Sequence, residues 1–400
     1  MLLDQCCLVT SAEDAAVQAL NPRTGSKLSL QIKNNLSKPG ATALIGSKFV
    51  VSAQAKGSAL HFWGWGSEQP LLKCHCPEKV GPVVTTDDGT LCASGGESGR
   101  IMVWDTGTGE LVRSWESHYK AVTALRFAGD GSFLFSGGGD AMFTAWNVLE
   151  IVDDEFSEVG ASKGPSPVWS AAEHSLPITS IAVNQTSSHL FTASWDRTAR
   201  VWEASSGQLL YTVVFKSALN IVVADPAERF LFLGGAENHV YQLQLSESSA
   251  TAAASDGSIG SSLEQEGLVS KLANFEATGG TLSPQELRGH SGPVTALCCS
   301  SQGDILVSGS QDGSVRVWHI ASGQCMHVLK LMKGPISQVL VLPQRAQELA
   351  IRTRDTAAAA TKQTQATLPP FKKFLQAGKE GCSVPPIVLH AHGRTLLPPP

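Results

Sequence analysis

Three sets of four side chains recur in the sequence, and their types could do chemistry. Each set has a His, a Ser or Thr, an Asp and a Trp, with the hydroxyl residue ten positions and the Asp six positions before the Trp. The sets are His118, Ser136, Asp140 and Trp146; His174, Thr192, Asp196 and Trp202; and His290, Ser308, Asp312 and Trp318. A His, a Ser and an Asp can form a nucleophilic triad, in which the imidazole activates the hydroxyl and the carboxylate orients the imidazole.

A structural role competes with the catalytic one. A hydrolase needs one triad, whereas this sequence repeats the set three times at one spacing, each time with a Trp. A buried indole, imidazole and carboxylate must all find hydrogen-bond partners, and a closed network satisfies them together. We therefore predict three buried structural networks and no catalytic residue.

The stretch from Arg288 to Lys330 shows which elements would position one such set. A Gly-His pair precedes three short runs of alternating apolar and β-branched residues, at 294–298, 305–309 and 314–318. Turn-forming residues separate the runs, which is typical of short antiparallel strands. Four strands in about 40 residues are the period and signature of a WD repeat, one blade of a β-propeller.

Equivalent positions recur along the chain when Trp318 is taken as the marker of the third strand. The markers are Leu20, Trp63, Trp104, Trp146, Trp202, Leu243 and Trp318. They stand 43, 41, 42, 56, 41 and 75 residues apart, and a WD repeat spans about 40 to 45 residues. A small residue recurs five positions after the marker, as Gly25, Gly109, Gly207 and Gly323. The sequence therefore predicts an all-β fold, a seven-bladed WD40 β-propeller.

The first blade lacks its innermost strand. Residues 1–36 hold material for three strands only, whereas residues 334–342 repeat the start of other blades. We predict that this last strand pairs with the strand near Leu8 and closes the ring. The pairing would cover two strand edges that are otherwise prone to aggregate.

The predicted propeller covers residues 1–343, with insertions at about 150–170 and 246–287. The second insertion is rich in Ser, Ala, Gly and Glu, a composition that cannot bury a core, so we predict a disordered excursion. The remaining residues, 344–400, are predicted to form a basic, Pro-rich, disordered tail. From residue 343 the chain carries eight Lys or Arg against three Asp or Glu, so this part has a charge of +5 on a chain of −5.

Charged groups in the first insertion and in the tail are candidate partner contacts. They are Asp153, Asp154, Glu155 and Phe156 in the insertion, and Lys372 and Lys373 in the tail. The acidic loop could dock a basic partner, and the basic tail could contact an acidic partner or RNA. The alternatives are a solvated loop and a solubilising terminus. No basic strand interleaved with aromatic residues occurs, so sequence-specific RNA recognition is disfavoured.

Bulk properties and motifs exclude several other classes. No apolar run reaches the length of a membrane-spanning helix, and the start lacks the pattern of a secretory signal. Nine scattered cysteines fit reduced thiols. Cys74-His75-Cys76 lacks a second ligand pair at finger spacing, so we predict no metal. Phosphate-binding loops, dinucleotide fingerprints and zinc-protease motifs are absent, and we predict a non-enzyme without cofactors.

Several runs together resemble one narrower family. They are TGELVRSWESHYKAVTALRFAGDGSFLFSGGGD, VWSAAEHSLPITSIAV, the Trp-less FLFLGGAENHVYQLQL, and GHSGPVTAL with GSQDGSVRVW. Their order, with the two insertions, is similar to that of the WD repeat-containing protein 18 family, whose fungal member is the Ipi-three subunit of the Rix complex. The similarity covers about residues 5–345. Family members usually end in a charged helical extension linked to assembly, whereas this sequence ends in LLPPP.

The resemblance implies a nuclear scaffold, in the nucleolus and nucleoplasm. It would act in late maturation of the large ribosomal subunit (pre-60S) and in ribosomal RNA processing at internal spacer 2. The implied partners are a helical-repeat Rix-type scaffold subunit, an Ipi-one or TEX-type subunit, the pre-60S particle and an AAA remodelling ATPase. Contact with RNA would be weak or indirect, and no membrane is involved.

A second reading keeps the fold and changes the partners. The chain could be a generic WD40 adaptor, such as a substrate receptor of a ubiquitin ligase. Known receptors carry Trp-Asp-x-Arg after the third strand, whereas this chain reads WDTG, WNVL, WEAS and WHIA at these places. The adaptor reading is therefore the alternative.

Overall fold

Seven antiparallel sheets of four strands each form the fold in a computed structural model of the chain. The structure describes residues 6–65, 67–153, 164–245, 284–342 and 368–372. Within these residues each sheet is one blade, and its four strands run from the innermost to the outermost. This arrangement is a seven-bladed β-propeller, as the spacing of the markers predicts.

The strands are numbered along the chain, and each blade is given from its inner to its outer strand. Blade one has β28 (Ile336–Val341), β1 (Cys7–Ser11), β2 (Val17–Leu20) and β3 (Lys27–Ile32). Blade two has β4 (Thr42–Ile45), β5 (Phe49–Ala53), β6 (Ala59–Gly64) and β7 (Leu72–His75). Blade three has β8 (Val80–Thr85), β9 (Leu91–Gly96), β10 (Arg100–Asp105) and β11 (Leu111–Glu116).

The remaining blades follow the same order. Blade four has β12 (Val122–Phe127), β13 (Phe133–Gly138), β14 (Phe143–Asn147) and β15 (Pro167–Ala171), with a helix α1 (Val148–Val152) between the last two strands. Blade five has β16 (Ile178–Val183), β17 (His189–Ser194), β18 (Thr198–Glu203) and β19 (Leu209–Val214). Blade six has β20 (Leu219–Ala224), β21 (Phe230–Gly235), β22 (His239–Gln244) and β23 (Gln285–Arg288). Blade seven has β24 (Val294–Cys299), β25 (Ile305–Ser310), β26 (Ser314–His319) and β27 (Gln324–Lys330).

The seven predicted markers all lie in the third strand of a blade. Trp318, for example, lies in β26, and the substitutes Leu20 and Leu243 lie in β2 and β22. Each marker is almost fully buried, because the indole or Leu side chain fills the space between its own blade and a neighbour. A repeat spacing read from the sequence therefore located every blade.

The ring closes through the two ends of the propeller. Strand β28 pairs with β1 in antiparallel register, with Leu8 opposite Leu340 and Val9 opposite Val339. The buried hydroxyls of Thr10 and Ser337 lie 2.8 Å apart across this seam. The predicted closure is confirmed, and β1 has a paired neighbour on each side.

The apolar core consists of seven clusters, one at each interface between neighbouring blades. Side chains on the innermost strands add hydrogen bonds across several of these interfaces. The Thr179 hydroxyl donates to the carbonyl of Leu219 at 2.9 Å, and the Asn220 amide donates to the carbonyl of Val294 at 3.0 Å. The contacts between blades therefore combine apolar burial with directional bonds, which makes the ring one rigid unit.

Two outer strands lie inside ranges that the sequence analysis predicted as insertions. Strand β15 begins at Pro167, within 150–170, and β23 begins at Gln285, within 246–287. Both strands complete a blade by pairing with its third strand. The prediction was wrong at these ends because a long insertion separates each strand from its partner, so the repeat spacing carries no signal there.

The first insertion opens with a helical turn that the sequence analysis predicted as loop. The Asn147 side chain caps α1 by accepting from the N–H of Leu149, and Val148 and Ile151 are buried beside Trp146. Apolar residues on one face of a turn and a capping Asn explain why this segment is helical.

The tail also departs from the prediction of disorder at residues 368–372. Phe371 is buried in the cluster between blades two and three, and Lys372 is half-buried beside it. The other residues of the predicted tail lie outside the described residues. An aromatic side chain that finds an apolar slot gains enough burial to order a short segment.

Candidate functional site

The His, Ser or Thr, Asp and Trp sets lie at one end of blades four, five and seven, where each outer strand connects to the next blade. In blade five the Trp202 indole N–H donates to the Thr192 hydroxyl at 2.9 Å. The hydroxyl lies 2.8 Å from Nε2 of His174, and Nδ1 of His174 lies 2.8 Å from the Asp196 carboxylate. The structure therefore brings the four predicted side chains into one chain of hydrogen bonds.

Blade four repeats this arrangement. Trp146 and His118 each lie 2.9 Å from the Ser136 hydroxyl, and Nδ1 of His118 lies 3.1 Å from Asp140. The same order of partners in two blades shows that the network is a property of the repeat.

Blade seven differs at the last step. Trp318 lies 2.8 Å from the Ser308 hydroxyl and His290 lies 2.7 Å from it. Nδ1 of His290 is 3.6 Å from Asp312, and the Ser314 hydroxyl bridges them at 3.1 Å and 2.6 Å. This carboxylate therefore acts on the imidazole mainly through Ser314.

The direction of proton donation follows from these contacts. The carboxylate accepts from Nδ1–H of His174, so Nε2 carries the lone pair and accepts from Thr192, which in turn accepts from the indole. The Asp196 carboxylate also accepts the backbone N–H groups of Ser175 and Thr198. The series of hydrogen bonds runs from the indole to the hydroxyl, the imidazole and the carboxylate. The carboxylate then accepts from backbone N–H groups in two turns.

Burial sets the protonation states in the network. Desolvation lowers the pKa of His118 and His174 and lowers the pKa of His290 to about 4, although each imidazole has a carboxylate nearby. Desolvation alone would raise the pKa of Asp196, but hydrogen bonds from Thr198 and His174 lower it to about 2. At neutral pH the imidazoles are neutral and this carboxylate is charged.

The hydroxyl groups are closed to any substrate. Ser136, Thr192 and Ser308 have 0% exposure, and each hydroxyl is bonded to an indole and an imidazole. A nucleophile must reach the carbon that it attacks, which a fully enclosed oxygen cannot do. The chemical effect of this arrangement is to fix the turns that its carboxylates hold.

Exposed apolar side chains stand next to these fixed turns. Tyr119 follows His118 and is 95% exposed, Trp195 precedes Asp196 and is 52% exposed, and Leu176 is 47% exposed. We call these three residues the apolar rim. Their backbones are held, because the N–H of Tyr119 donates to Asp140, and the N–H of Trp195 donates to the carbonyl of Pro177.

One residue of the apolar rim, Trp195, lines a cavity of about 630 Å³. Its lining includes Trp195, Val122 and Pro82 from three blades, with Lys38 and Glu97 at its edge. The two charged side chains form an ion pair at 3.1 Å. Sequence analysis missed the apolar rim, although an aromatic residue beside a network His or Asp was a signal available in the sequence.

Blade three has the marker Trp without the network. Cys76 stands where blades four, five and seven have His, and the buried Ser94 hydroxyl has no partner among the described residues. The Trp104 indole N–H donates instead to the carbonyl of Lys372 at 3.0 Å. In blade two, likewise, the Trp63 indole donates to the carbonyl of Lys33 at 3.2 Å.

The predicted partner contacts fall in different places. Asp154, Glu155, Phe156 and Lys373 lie outside the described residues. Asp153 ends α1, and its carbonyl accepts from the Arg113 guanidinium at 2.9 Å. The Lys372 ammonium lies 2.6 Å from the Glu110 carboxylate, so this cation already has a partner within the chain.

The Cys-His-Cys motif lies at the end of the outer strand of blade two, with Cys76 directly after β7. Cys74 and Cys76 are buried and His75 is exposed, as strand alternation requires. Among the described residues, no group of three or more His, Cys, Asp or Glu side chains has the geometry of a metal site. The described part of the chain also has no helix that is long and apolar enough to cross a membrane.

Comparison with known proteins places these repeats in a wider context. The family described as WD domain, G-beta repeat matches residues 72–105, 109–147, 165–203 and 282–319. The chain is 30% identical to WD repeat-containing protein 18 of Danio rerio over 346 residues, which are 84% of this chain and 74% of the relative. It is 29% identical to the Homo sapiens protein of the same name over 355 residues, 88% of this chain and 74% of the relative. It is also 30% identical over 325 residues to the pre-rRNA-processing protein IPI3 of Yarrowia lipolytica, which covers 80% of this chain and 68% of the relative.

Proposed function

Because this chain belongs to the WD repeat-containing protein 18 family, we propose that it is a non-enzymatic scaffold in ribosome biogenesis. It acts in pre-rRNA processing and in late maturation of the large ribosomal subunit, at the stage that includes internal spacer 2. The chain works by holding other molecules on a rigid ring.

One observation carries the proposal. Relatives whose names state a role in pre-rRNA processing match over most of the propeller, at 30% identity in Yarrowia lipolytica and 26% in Schizosaccharomyces pombe. The matches cover 80% and 84% of this chain, so they include several blades and not one repeat alone. Common ancestry of the whole propeller is the simplest reason for an extended match of this kind.

The geometry of the networks supports the scaffold role. Three buried chains of hydrogen bonds hold turns whose exposed neighbours are Tyr119, Leu176 and Trp195. Rigid aromatic side chains bind partners at a low cost in conformational entropy, which is why Tyr and Trp are enriched where interfaces are strongest. We propose that the apolar rim is the surface that holds a partner of the assembly complex.

The proposed partners are a helical-repeat subunit of the Rix type and an Ipi-one or TEX-type subunit, together with the pre-60S particle and its AAA remodelling ATPase. The proposed location is the nucleus, in the nucleolus and nucleoplasm. Contact with RNA is weak or indirect. Asp153, Asp154, Glu155, Phe156 and Lys373 remain proposed auxiliary contacts.

Affinity capture of the tagged full chain from nuclear extract tests the proposal. We expect mass spectrometry to identify a helical-repeat subunit and proteins of large-subunit precursors, and RNA analysis to detect precursors that contain internal spacer 2. Recovery of ubiquitin-ligase subunits without any of these would refute the role in ribosome biogenesis and favour the generic adaptor.

A double substitution locates the surface. Tyr119→Ala with Trp195→Ala should abolish capture of the helical-repeat subunit while the melting temperature changes little, because Tyr119 is 95% exposed and Trp195 is 52% exposed. Val214→Ala is the matched control, since Val214 is 72% exposed on the outer strand of blade five. Equal capture by both variants would remove the apolar rim from the interface.

A further inference from the structure

Four blades have a glycine with positive φ in the turn after the third strand, and each of these glycines lies against a segment from elsewhere in the chain. The glycines are Gly25, Gly109, Gly207 and Gly323, with φ between 66° and 72°. In three blades the neighbour is a side chain of the preceding outer strand. These side chains are His327 against Gly25, Trp169 against Gly207 and Gln285 against Gly323.

The fourth glycine has a different neighbour. Above Gly109 lies the backbone of Pro369 and Pro370, and a methyl group at Gly109 would stand 2.6 Å from the carbonyl oxygen of Pro370. The preceding outer strand, β7, has four residues and pairs no further than Phe62. Residues 368–372 fill the groove between blades two and three at this point, where each of the other three glycines is covered by a side chain of the preceding outer strand.

Phe371 is the apolar anchor in this groove. Its ring lies 4.7 Å from the Phe62 ring and is stacked at 5.9 Å and 27° on the Trp104 indole. The side chain is buried, and Leu368 packs against the same cluster. An aromatic side chain between two other rings gains both buried area and ring contacts.

Polar contacts fix the direction and register of the segment. The backbone N–H of Lys372 donates to the carbonyl of Gly109 at 2.7 Å, and its carbonyl accepts from the Trp104 indole at 3.0 Å. The Cys74 thiol donates to the carbonyl of Phe371 at 3.3 Å, and the Lys372 ammonium pairs with Glu110 at 2.6 Å. Both backbone groups of Lys372 and its charge are therefore satisfied by the groove.

The groove also completes a blade that lacks its own network. Trp104 cannot complete the usual chain, because Cys76 replaces the His, and the buried Ser94 hydroxyl has no described partner. A buried indole N–H without an acceptor is costly, and the carbonyl of Lys372 removes that cost. The blade thus depends on a bond from a residue 268 positions away.

We infer that the groove between blades two and three is a peptide-binding site that recognises an extended Pro-Pro-Phe-Lys segment. Its occupant is the chain's own residues 368–372, which act as an intramolecular latch on the propeller. The ligand class is a proline-rich peptide with an aromatic anchor followed by a cation. This inference rests on blades two and three alone and is independent of the proposed role in ribosome biogenesis.

A labelled peptide with the sequence of residues 366–374 tests the site on the full chain. We expect a chain with Phe371→Ala to bind the peptide, because its own latch has lost its anchor. The parent chain should bind the peptide about tenfold more weakly or worse, since an intramolecular ligand occupies the site without needing any partner in solution. Equal binding by the two chains, or binding by neither, would overturn the inference.

Three controls sharpen the experiment. A peptide with Ala in place of the Phe should not bind, and adding Glu110→Gln to the Phe371→Ala chain should weaken peptide binding several-fold. Hydrogen exchange should show a protected Lys372 amide in the parent chain and an unprotected one after Phe371→Ala. If the parent chain is a dimer that Phe371→Ala dissociates, the latch comes from a second copy and the intramolecular assignment is wrong.

Discussion

Blade five and blade three bury the same marker residue and satisfy it in different ways. In blade five the Trp202 indole bonds to Thr192 on the neighbouring strand, and the chain of bonds ends on Asp196. In blade three the Trp104 indole bonds to the backbone of Lys372, and no His or Asp takes part. The marker indole therefore has an acceptor in both blades, and the source of that acceptor differs between them.

The two blades differ in whether the indole can lose its hydrogen-bond acceptor while the blade stays folded. A network within one blade forms whenever that blade forms, because its partners lie on two neighbouring strands, the turn between them and the loop before the innermost strand. A bond to residue 372 also needs the later segment to dock. Blades four, five and seven are thus internally complete, whereas blade three can lose its acceptor while its strands stay paired.

Loss of the indole in a complete blade should have the largest effect. Trp202→Ala should lower the free energy of unfolding by about 3–5 kcal/mol, because it leaves a cavity in the core. Trp104→Ala should also unprotect the Lys372 amide to hydrogen exchange, which Trp202→Ala should not do. Denaturant titration and amide exchange measure the two effects. Loss of Lys372 protection in both variants would erase the distinction between the blades.

Acid should weaken the complete blades next. The pKa of His290 is lowered by burial from 6.5 to about 4, so protonation favours the unfolded chain. The neutral imidazole contributes fully to the free energy of unfolding above pH 6.5, and this contribution is lost as the pH falls toward 4. The loss amounts to about 3 kcal/mol. His118 and His174 shift in the same direction.

Urea unfolding between pH 7 and pH 4 measures this dependence. His290→Gln should flatten the slope, and His319→Gln, at an exposed position of the same blade, should not. Amides of blade three should keep their protection over this range, because that blade has Cys76 in place of the imidazole. An unchanged slope in the His290 variant would contradict the assignment of a neutral buried imidazole.

The same substitution should have unequal effects at two equivalent serines. Ser308→Ala should cost about 1–3 kcal/mol, because the Trp318 indole and the His290 imidazole both lose their partner. Ser94→Ala should leave stability unchanged or raise it slightly, since its buried hydroxyl has no described partner to lose. Thermal or urea unfolding of both variants gives the comparison. Similar losses at the two sites would mean that Ser94 is satisfied in solution.

The ion pair of the latch should contribute least. Glu110→Gln removes the charge that faces Lys372, and both side chains are partly exposed, so we expect a loss below about 1 kcal/mol. The loss should shrink further as salt is added. A loss of several kcal/mol, measured by urea unfolding, would show that the latch supports the whole ring.

Structural features that recur from blade to blade could be predicted from the sequence, whereas features that occur once could not. The spacing of Trp318 to Ser308 and Asp312 recurs in three blades, so the marker, the network and the closing strand could be inferred from one repeat spacing. Strands β15 and β23 follow long insertions, and the repeat spacing gives no signal there. The acceptor of Trp104 lies 268 residues away, and nothing near Lys372 in the sequence indicates the pairing.

The seam between β1 and β28 has a consequence for the timing of synthesis. Val9 leaves the ribosome about 330 residues before its partner Val339, which at about 5–20 residues per second is a wait on the order of half a minute. During that interval β1 lacks its inner partner strand, so a nascent chain that stalls before residue 336 has a propeller that is not closed. Only a chain that has been translated through β28 can therefore pair this strand with β1 and close the propeller.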